Sequence, residues 1–230
     1  MAPDADLLAA RPATLNWSLV IPVKVLAQAK SRLTGLADHS RSEFALAMAA
    51  DTIAAAVEAE TVAAVVVVTD DPEVGDIGAE LGAIVVADTP QAGLNEALVH
   101  GAGYSEQRWP DRGRAGLAGD LPALKPGELT AALAASARVG AAFVPDAAGT
   151  GTTLYAAPPG ARFSPQFGPA SRDRHLAAGV VELTAVELAL GELIGLRRDV
   201  DTMADLRAAA RIGLGPRTRA LVAAGGRLSG

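Results

Sequence analysis

The sequence predicts an α/β fold with a mostly parallel central sheet, helices on both faces and a smaller antiparallel part. Short runs of β-branched residues alternate with longer Ala-rich stretches over the first two thirds of the 230 residues, and this alternation is typical of a parallel sheet. The run from Val62 to Val68 is apolar throughout, as expected of a strand buried on both faces. The elements after Pro145 are shorter, which places the antiparallel part there.

Each element follows from a local signal in chain order. The predicted strands are residues 18–23, 62–69, 84–86, 115–119, 141–144, 152–156, 181–183 and 194–196. The predicted helices are residues 40–60, 71–81, 94–107, 126–139, 171–178 and 201–211. A capping-box pattern from Ser40 to Glu43 starts the first helix, and Pro126 suits the first turn of the fourth. Gly101 and Gly103 weaken the prediction of the third helix, because glycine has a low helix propensity.

One domain is predicted over residues 17–215. Residues 1–16 are predicted to be a disordered N-terminus, and residues 216–230 a C-terminal helix or tail. The net charge of -6 and the pI near 5.1 argue against a nucleic-acid partner. The absence of cysteine excludes disulfides, thiolate metal ligands and a Cys nucleophile. No apolar run is long enough to span a bilayer, so we expect a soluble cytoplasmic protein without a membrane partner.

Two separated aspartate motifs are the main chemical feature. Asp120 stands in the segment Gly119 to Leu124, and Asp199 and Asp201 stand in the segment Arg198 to Thr202. Each motif follows a predicted strand, and open parallel sheets bind ligands beyond the carboxyl ends of their strands. Mg²⁺ suits such a site because one or two carboxylates, substrate phosphates and waters can complete its coordination. The alternative is that these residues are turn aspartates or helix N-caps.

Two further segments can bind an anion. The run Gly149 to Thr153, which includes Thr152, packs small residues and hydroxyls into a turn whose backbone N–H groups can form an anion nest. In the run Phe167 to His175, Gly168 permits close backbone approach, and Ser171 can cap a helix whose N-terminus favours a phosphate. The alternative for the first segment is a plain turn. His175, at the end of the second segment, is expected to be a packing or solvent-facing residue rather than a base.

A cluster of cations follows the first predicted strand. Lys24, Lys30 and Arg32 can meet a triphosphate there, or they can form a solvated surface cluster. Asn95, at the start of a predicted helix, can contact a nucleotide base or ribose. The sequence lacks the glycine-rich dinucleotide fingerprint, the P-loop, the serine elbow and the HExxH zinc motif, which argues against those enzyme classes.

Taken in order, these motifs resemble one known family. The segments that carry the resemblance are Pro22–Lys24, Ala29–Leu33, Gly93–Leu98, Gly119–Pro122, Gly151–Thr153, Phe167–Gly168 with Ser171 and His175, and Asp199–Thr202. Together they resemble the guanylyltransferases of coenzyme F-420 biosynthesis, which act on 2-phospho-L-lactate or, in bacterial relatives, on phosphoenolpyruvate. The resemblance implies a single-domain nucleotidyltransferase fold, GT-A-like and Rossmann-like.

The resemblance also implies the ligands. GTP is the expected nucleotide donor and Mg²⁺ the expected metal, on Asp120 and Asp201 with Asp199 as a helper. The acceptor is a small phosphorylated acid, and the Ala/Arg-rich composition, typical of high-GC bacteria, favours phosphoenolpyruvate. The product is expected to pass to a downstream deazaflavin transferase.

The expected roles are as follows: Asp120, Asp201 and Lys30 catalytic; Thr152, Gly168 and Ser171 acid-binding; Lys24, Lys30, Arg32 and Asn95 nucleotide-binding. The alternatives are a 2-phospho-L-lactate or 3-phosphoglycerate guanylyltransferase, another nucleotidyltransferase such as a molybdenum-cofactor guanylyltransferase, and a non-catalytic GTP-binding regulatory domain.

Overall fold

The computed structural model describes residues 16–24, 26, 38–183 and 193–224. Within these ranges seven strands form one sheet in the order β3-β2-β1-β4-β6-β5-β7. The strands are β1 (Trp17–Pro22), β2 (Val62–Val68), β3 (Ile84–Val86), β4 (Gly113–Leu117), β5 (Ala142–Pro145), β6 (Thr152–Ala157) and β7 (Val181–Glu182). The helices are α1 (Asp38–Val57), α2 (Pro72–Glu80), α3 (Leu94–Arg108), α4 (Pro126–Val139), α5 (Ser171–Ala177), α6 (Met203–Ile212) and α7 (Pro216–Ala224).

The sheet is parallel except at one strand, which confirms the predicted fold class. β1 pairs in parallel with β2 and β4, β2 with β3, and β5 with β7. β6 runs antiparallel to both β4 and β5. The start of β6 therefore lies at the same edge as the ends of β1, β4 and β5. This shared edge brings distant segments of the chain together.

The helices cover both faces of the sheet. Leu19 and Ile21 of β1 pack in one cluster with residues of α1, α2 and α4, whereas Val20 packs on the opposite face with Ala97 and Leu98 of α3. Alternate residues of a strand point to opposite faces, so β1 is buried on both sides. None of the helices in these ranges has the length and apolarity that a bilayer crossing requires.

The third helix forms in full despite its two glycines. A Cβ at Gly101 would lie 2.5 Å from Cγ1 of Val20 and 2.8 Å from Cγ2 of Val68, whereas one at Gly103 would meet no atom within 4 Å. Gly101 therefore lets α3 approach β1 and β2 closely. The close packing of the helix on the sheet compensates for the low helix propensity of glycine.

Several predicted elements are wrong in detail. Residues 194–196 form a turn rather than a strand. This segment packs closely against Ala123 in the loop after β4, and the Gly195 N–H donates to Oε1 of Glu128 in the first turn of α4 at 2.9 Å. α1 begins at Asp38, so Ser40 and Glu43 lie inside the helix and do not form a capping box. The C-terminal residues include α7, one of the two alternatives predicted there. The predictions for residues 1–15 and 225–230 lie outside the described residues.

Candidate active site

A cavity of about 780 Å³ opens at the carboxyl edge of the sheet. Its lining includes the segments 22–24, 117–120, 150–152 and 167–170, together with Asp146, Asp199 and Asp201. Residues 22–24 lie at the end of β1 and residues 117–120 at the end of β4, whereas residues 150–152 lead into β6 and residues 167–170 lead into α5. The cavity therefore collects the two aspartate motifs and both anion-binding segments that the sequence predicts.

A backbone hydrogen bond joins the two aspartate motifs. The Val200 N–H donates to the Asp120 carbonyl at 3.2 Å, so the segment with Asp199 and Asp201 lies directly against the segment with Asp120. The Asp120 segment is also held from α1, because the Leu121 N–H donates to Thr52 Oγ1 at 3.0 Å. Thr52 is fully buried and in turn donates to the Met48 carbonyl at 2.8 Å.

The N-cap interpretation of Asp199 and Asp201 is excluded. Thr202 caps α6, accepting from the Asp205 N–H at 3.2 Å, while the Asp205 carboxylate accepts from the Thr202 N–H at 2.9 Å. This reciprocal pair is a capping box. Thr202 and Asp205 complete the helix start, and Asp199 and Asp201 line the cavity.

The pKa of Asp199 reports the negative charge of the cavity. Burial, and then the nearby charges of Asp120, Asp146 and Asp201, together raise the pKa of its carboxyl to about 7. The like charges around the cavity thus disfavour the ionised form of Asp199. A bound cation would reverse this repulsion, so the charge of the site suits a metal ion.

Asp146 is a cavity residue that the sequence interpretation missed. Its carboxylate accepts from the Thr150 N–H at 2.9 Å and so shapes the turn that precedes β6. Arg197 holds the same turn, donating from Nε to the Pro145 carbonyl at 3.1 Å and from Nη2 to the Asp146 carbonyl at 3.0 Å. The available signal was position: Asp146 directly follows a buried strand at the edge where the other aspartates were predicted.

The donor set fits Mg²⁺ better than a closed protein cage. In the described ranges, no group of three or more acidic or histidine side chains is arranged to hold a metal ion. Mg²⁺ needs less than that, because it is commonly held by one or two carboxylates and completes its coordination with substrate phosphates and waters. Asp120 and Asp201 can therefore serve as such a pair, although metal binding stays a prediction.

The three predicted acid-binding residues meet on one side of the cavity. Thr152 and Gly168 line it, and Ser171 Oγ donates to Thr152 Oγ1 at 3.0 Å. Gly168 has a φ of +113°, which favours glycine. The prediction that Ser171 caps a helix is wrong, since Ala170 is the N-cap of α5 and Ser171 its first residue. Its hydroxyl is instead engaged with Thr152.

His175 is packed rather than exposed to solvent. It is fully buried, and its ring centroid lies 5.1 Å from those of both Tyr155 and Phe143. Burial, and then the charge of Arg174, together lower the pKa of His175 to about 4. Of the sequence interpretations, the packing role is therefore the correct one, because a group with so low a pKa is a poor base at neutral pH.

Of the predicted nucleotide-binding residues, the structure describes Lys24 and Asn95. Lys24 is exposed and lines the cavity, whereas Lys30 and Arg32 lie outside the described residues. Asn95 holds the backbone of Phe167: its Nδ2 donates to the Phe167 carbonyl at 3.1 Å, and its Oδ1 accepts from the Phe167 N–H at 2.7 Å. The structure thus gives Asn95 a part in shaping the cavity wall, and its contact with a nucleotide stays a prediction.

Comparison with known proteins assigns the family. The family model described as guanylyl transferase, CofC-like, matches residues 17–207. The chain belongs to this family. A phosphoenolpyruvate guanylyltransferase from Thermomonospora curvata is 54% identical over 211 residues, which cover 92% of this chain and 90% of that protein. One from Streptomyces coelicolor is 51% identical over 210 residues, covering 91% and 97%.

Solved structures agree with the fold of this guanylyl transferase. A Desulfovibrio desulfuricans protein described as a nucleotide-diphospho-sugar transferase matches with a TM-score of 0.66 at 16% identity, covering 90% of this chain and 94% of that one. A nucleotidyl transferase from Methanothermobacter matches with a TM-score of 0.56 at 20% identity, covering 86% and 97%. At such low identity these matches support the fold alone. They confirm the nucleotidyltransferase fold that the sequence predicts.

Proposed function

We propose that this guanylyl transferase moves GMP from GTP to phosphoenolpyruvate, giving enolpyruvyl-2-diphospho-5'-guanosine and pyrophosphate in coenzyme F-420 biosynthesis. The names of its relatives support the choice of acceptor, since two that are more than half identical over nearly the whole chain are phosphoenolpyruvate guanylyltransferases. The choice of GTP as donor rests on the family and on the resemblance.

One observation carries the proposal: the aspartates and the predicted acid-binding residues meet at the same cavity. Asp120, Asp199 and Asp201 line it together with Thr152 and Gly168, and Ser171 donates to Thr152 from behind. Condensing two anionic substrates requires sites for both and a way to offset their mutual repulsion. The carboxylates can recruit a cation for the phosphates, while the hydroxyls and the Gly168 backbone can hold the acceptor acid.

The proposed reaction is an in-line displacement at phosphorus. A phosphate oxygen of phosphoenolpyruvate bonds to the α-phosphorus of GTP, and the bond from that phosphorus to the bridging oxygen of the β-phosphate breaks. Pyrophosphate leaves with the electron pair of that bond. Because the attacking oxygen is already anionic, the step needs no general base, which agrees with the low pKa of His175. Catalysis then consists of positioning the reactants and stabilising charge.

Each predicted residue has a part in this scheme. Asp120 and Asp201 would hold Mg²⁺, with Asp199 beside them, and the bound cation would supply Lewis-acid stabilisation of the phosphate charge. Lys24 would steady the GTP phosphates, as would Lys30 and Arg32. Thr152 and Ser171 would orient the acceptor phosphate, together with the Gly168 backbone.

The remaining partners follow from the chemistry. The product is a phosphoanhydride that joins an enol phosphate to GMP, and we expect a downstream deazaflavin transferase to consume it. A small-molecule reaction of this kind fits a cytoplasmic enzyme that needs neither nucleic acid nor membrane, in line with the acidic composition.

The test is pyrophosphate release from GTP with Mg²⁺ and the downstream deazaflavin transferase present. Phosphoenolpyruvate, 2-phospho-L-lactate and 3-phosphoglycerate are offered separately, and ATP, CTP and UTP replace GTP in control reactions. We expect release with GTP and phosphoenolpyruvate. If pyrophosphate is released only with another acid, that acid is the acceptor instead of phosphoenolpyruvate. If GTP binds but no acid gives pyrophosphate, the proposed reaction is contradicted.

A further inference from the structure

His175 makes two directional contacts from its buried ring. Its Nε2 lies 2.9 Å from the backbone nitrogen of Gln166, whose N–H donates to it. Its Nδ1 lies 3.0 Å from Thr152 Oγ1. A neutral imidazole carries one hydrogen, so an Nε2 that accepts a hydrogen bond leaves that hydrogen on Nδ1. The Gln166 N–H thereby selects the tautomer in which His175 donates to Thr152.

This tautomer decides what the Thr152 hydroxyl can offer. Thr152 Oγ1 accepts from His175 Nδ1–H and from Ser171 Oγ, which fills both of its lone pairs. Its own hydrogen is then left to point toward the cavity that Thr152 lines. In the opposite tautomer, Nδ1 would take that hydrogen, and the Ser171 hydrogen would go to Thr152. The hydroxyl pair would then have no hydrogen left for a ligand.

We propose that His175 is a positioning residue that keeps the Thr152 hydroxyl a hydrogen-bond donor to an anionic oxygen in the cavity. The inference deepens the proposed function and rests on it, because the anion is the phosphate or carboxylate of the acceptor acid. Because Thr152 can only donate to a ligand, the site favours a fully ionised oxygen over a hydroxyl group, whose own hydrogen would also need an acceptor. His175 acts through Thr152 and does not touch the substrate.

The surroundings hold both the ring and the segment, Gln166 and Phe167, whose Gln166 N–H sets its tautomer. Tyr155 stacks on the imidazole at an interplanar angle of 25°, and Phe167 meets its edge. Arg174 donates from Nη2 to the Gln166 carbonyl at 2.9 Å, and Asn95 pairs with the next residue, Phe167. The low pKa of His175 agrees with this arrangement, because a protonated ring would point an N–H at the N–H of Gln166.

The first test reads the tautomer directly. Only three histidines are present in the chain, so two-dimensional ¹H–¹⁵N spectra of imidazole-labelled protein are simple, and His175→Phe identifies the signals of His175. At pH 7 we expect the pattern of a neutral ring with its hydrogen on Nδ1. A hydrogen on Nε2 would overturn the inference, whatever acid the enzyme uses.

The second test is a double-mutant cycle on the KM for phosphoenolpyruvate. Thr152→Val removes the donor while keeping the shape, and His175→Phe keeps an aromatic ring but removes both nitrogens. Loss of one hydrogen bond to an anion should raise this KM by roughly ten- to a hundredfold in either single variant. If His175 acts through Thr152, the double variant should match Thr152→Val alone, with the KM for GTP unchanged throughout.

The outcomes separate the inference from the function on which it rests. The inference would be overturned if the KM increases of the two single variants multiplied in the double variant, or if the KM for GTP rose as much as that for phosphoenolpyruvate. His175 would then be a packing residue. His175→Gln keeps a polar side chain in case the phenylalanine variant fails to fold, and circular dichroism monitors folding for each protein. If the wild-type enzyme uses none of the three acids, the proposed function fails, and the tautomer spectrum still decides the polarity of Thr152.

Discussion

The Val200 N–H donates to the Asp120 carbonyl at 3.2 Å. This one bond ties the loop after β4 to the segment that leads into α6, although the two lie far apart in the chain. Asp199 and Asp201 flank Val200 on either side, so they arrive at the cavity with Asp120. The raised pKa of Asp199 is a direct consequence, because burial and the charges of Asp120, Asp146 and Asp201 all act on it.

The carboxylate of Asp120 is expected to be essential for turnover. Asp120→Asn keeps the size and the backbone contacts but removes a charge that a cation would need. We expect kcat/KM to fall at least about 100-fold, which corresponds to about 2.7 kcal/mol of transition-state stabilisation. Pyrophosphate release measured over a range of Mg²⁺ concentrations should also show that more Mg²⁺ is required. Asp201→Asn should act in the same direction.

Asp111→Asn is the matched control for this prediction. Asp111 is an exposed turn residue that precedes β4, at the opposite edge of the sheet from Asp120. It should leave both the rate and the Mg²⁺ requirement unchanged. Near-normal activity in Asp120→Asn would refute the proposed metal role.

Thr52 is expected to position the Asp120 loop from α1. Thr52→Val removes the acceptor of the Leu121 N–H, and an unsatisfied buried donor costs about 1–3 kcal/mol of folding free energy. We expect urea unfolding to show this loss, together with a lower kcat because Asp120 adjoins Leu121. Thr52→Ser retains the hydroxyl and should recover most of both properties. A stable and fully active valine variant would show that the hydroxyl does not hold the loop.

Two glycines on α3 are expected to respond in opposite ways to alanine. Gly101→Ala places a methyl group against Val20 and Val68, and such overpacking costs about 1–3 kcal/mol. Gly103→Ala meets open space and should stabilise the helix by about 0.5–1 kcal/mol. Thermal unfolding of the pair tests this directly. Equal effects would mean that α3 can shift away from the sheet at little cost.

His175 is expected to make folding stability depend on pH. Its pKa is about 4 in the folded protein, because of burial and then Arg174, against an ordinary value of 6.5 for histidine. A depressed folded pKa contributes stability that is present above pH 6.5 and is lost as the pH falls toward 4, by at most about 1.4 kcal/mol per pH unit. Urea unfolding of the wild type and His175→Phe between pH 7.5 and 4.5 should show a difference in slope.

Asp199 acts in the opposite sense in the same experiment. Its folded pKa of about 7 lies above the ordinary aspartate value of 3.8, so its contribution to stability grows as the pH falls through 7. Both proteins keep Asp199, so its effect cancels when their slopes are compared. Parallel slopes for the two proteins would contradict the assignment of a neutral buried His175.

Local patterns in the sequence determined the fold class and most of the elements. The apolar run of β2 and the alternation of strands and helices are properties of short segments, and burial on both faces leaves a clear mark on composition. The order of motifs along the chain also sufficed for the family, which the comparison confirms. Asp120 was found in this way because it follows a strand at a known edge. Asp199 and Asp201 were placed at the same edge by a predicted strand at residues 194–196 that is a turn in the structure.

Where the sequence interpretation failed, a contact between distant segments decided the outcome. The run at residues 194–196 has a strand-like composition, but it forms a turn whose Gly195 N–H donates to Glu128 in the first turn of α4. Ser171 resembles an N-cap, yet its hydroxyl is engaged with Thr152 on a neighbouring strand. A short pattern predicts what a segment can form alone, and it contains no information about which distant group satisfies its polar atoms.

By itself, the sequence determined an α/β nucleotidyltransferase fold, its family and the residue types that the chemistry needs. Only the tertiary structure decided that Asp146 joins the other aspartates, that Asn95 holds the wall of the cavity, and that Gln166 sets the hydrogen position on His175. The physical reason is that hydrogen bonds and electrostatic interactions depend on distance in space. Chain folding sets those distances, and spacing along the sequence does not record them.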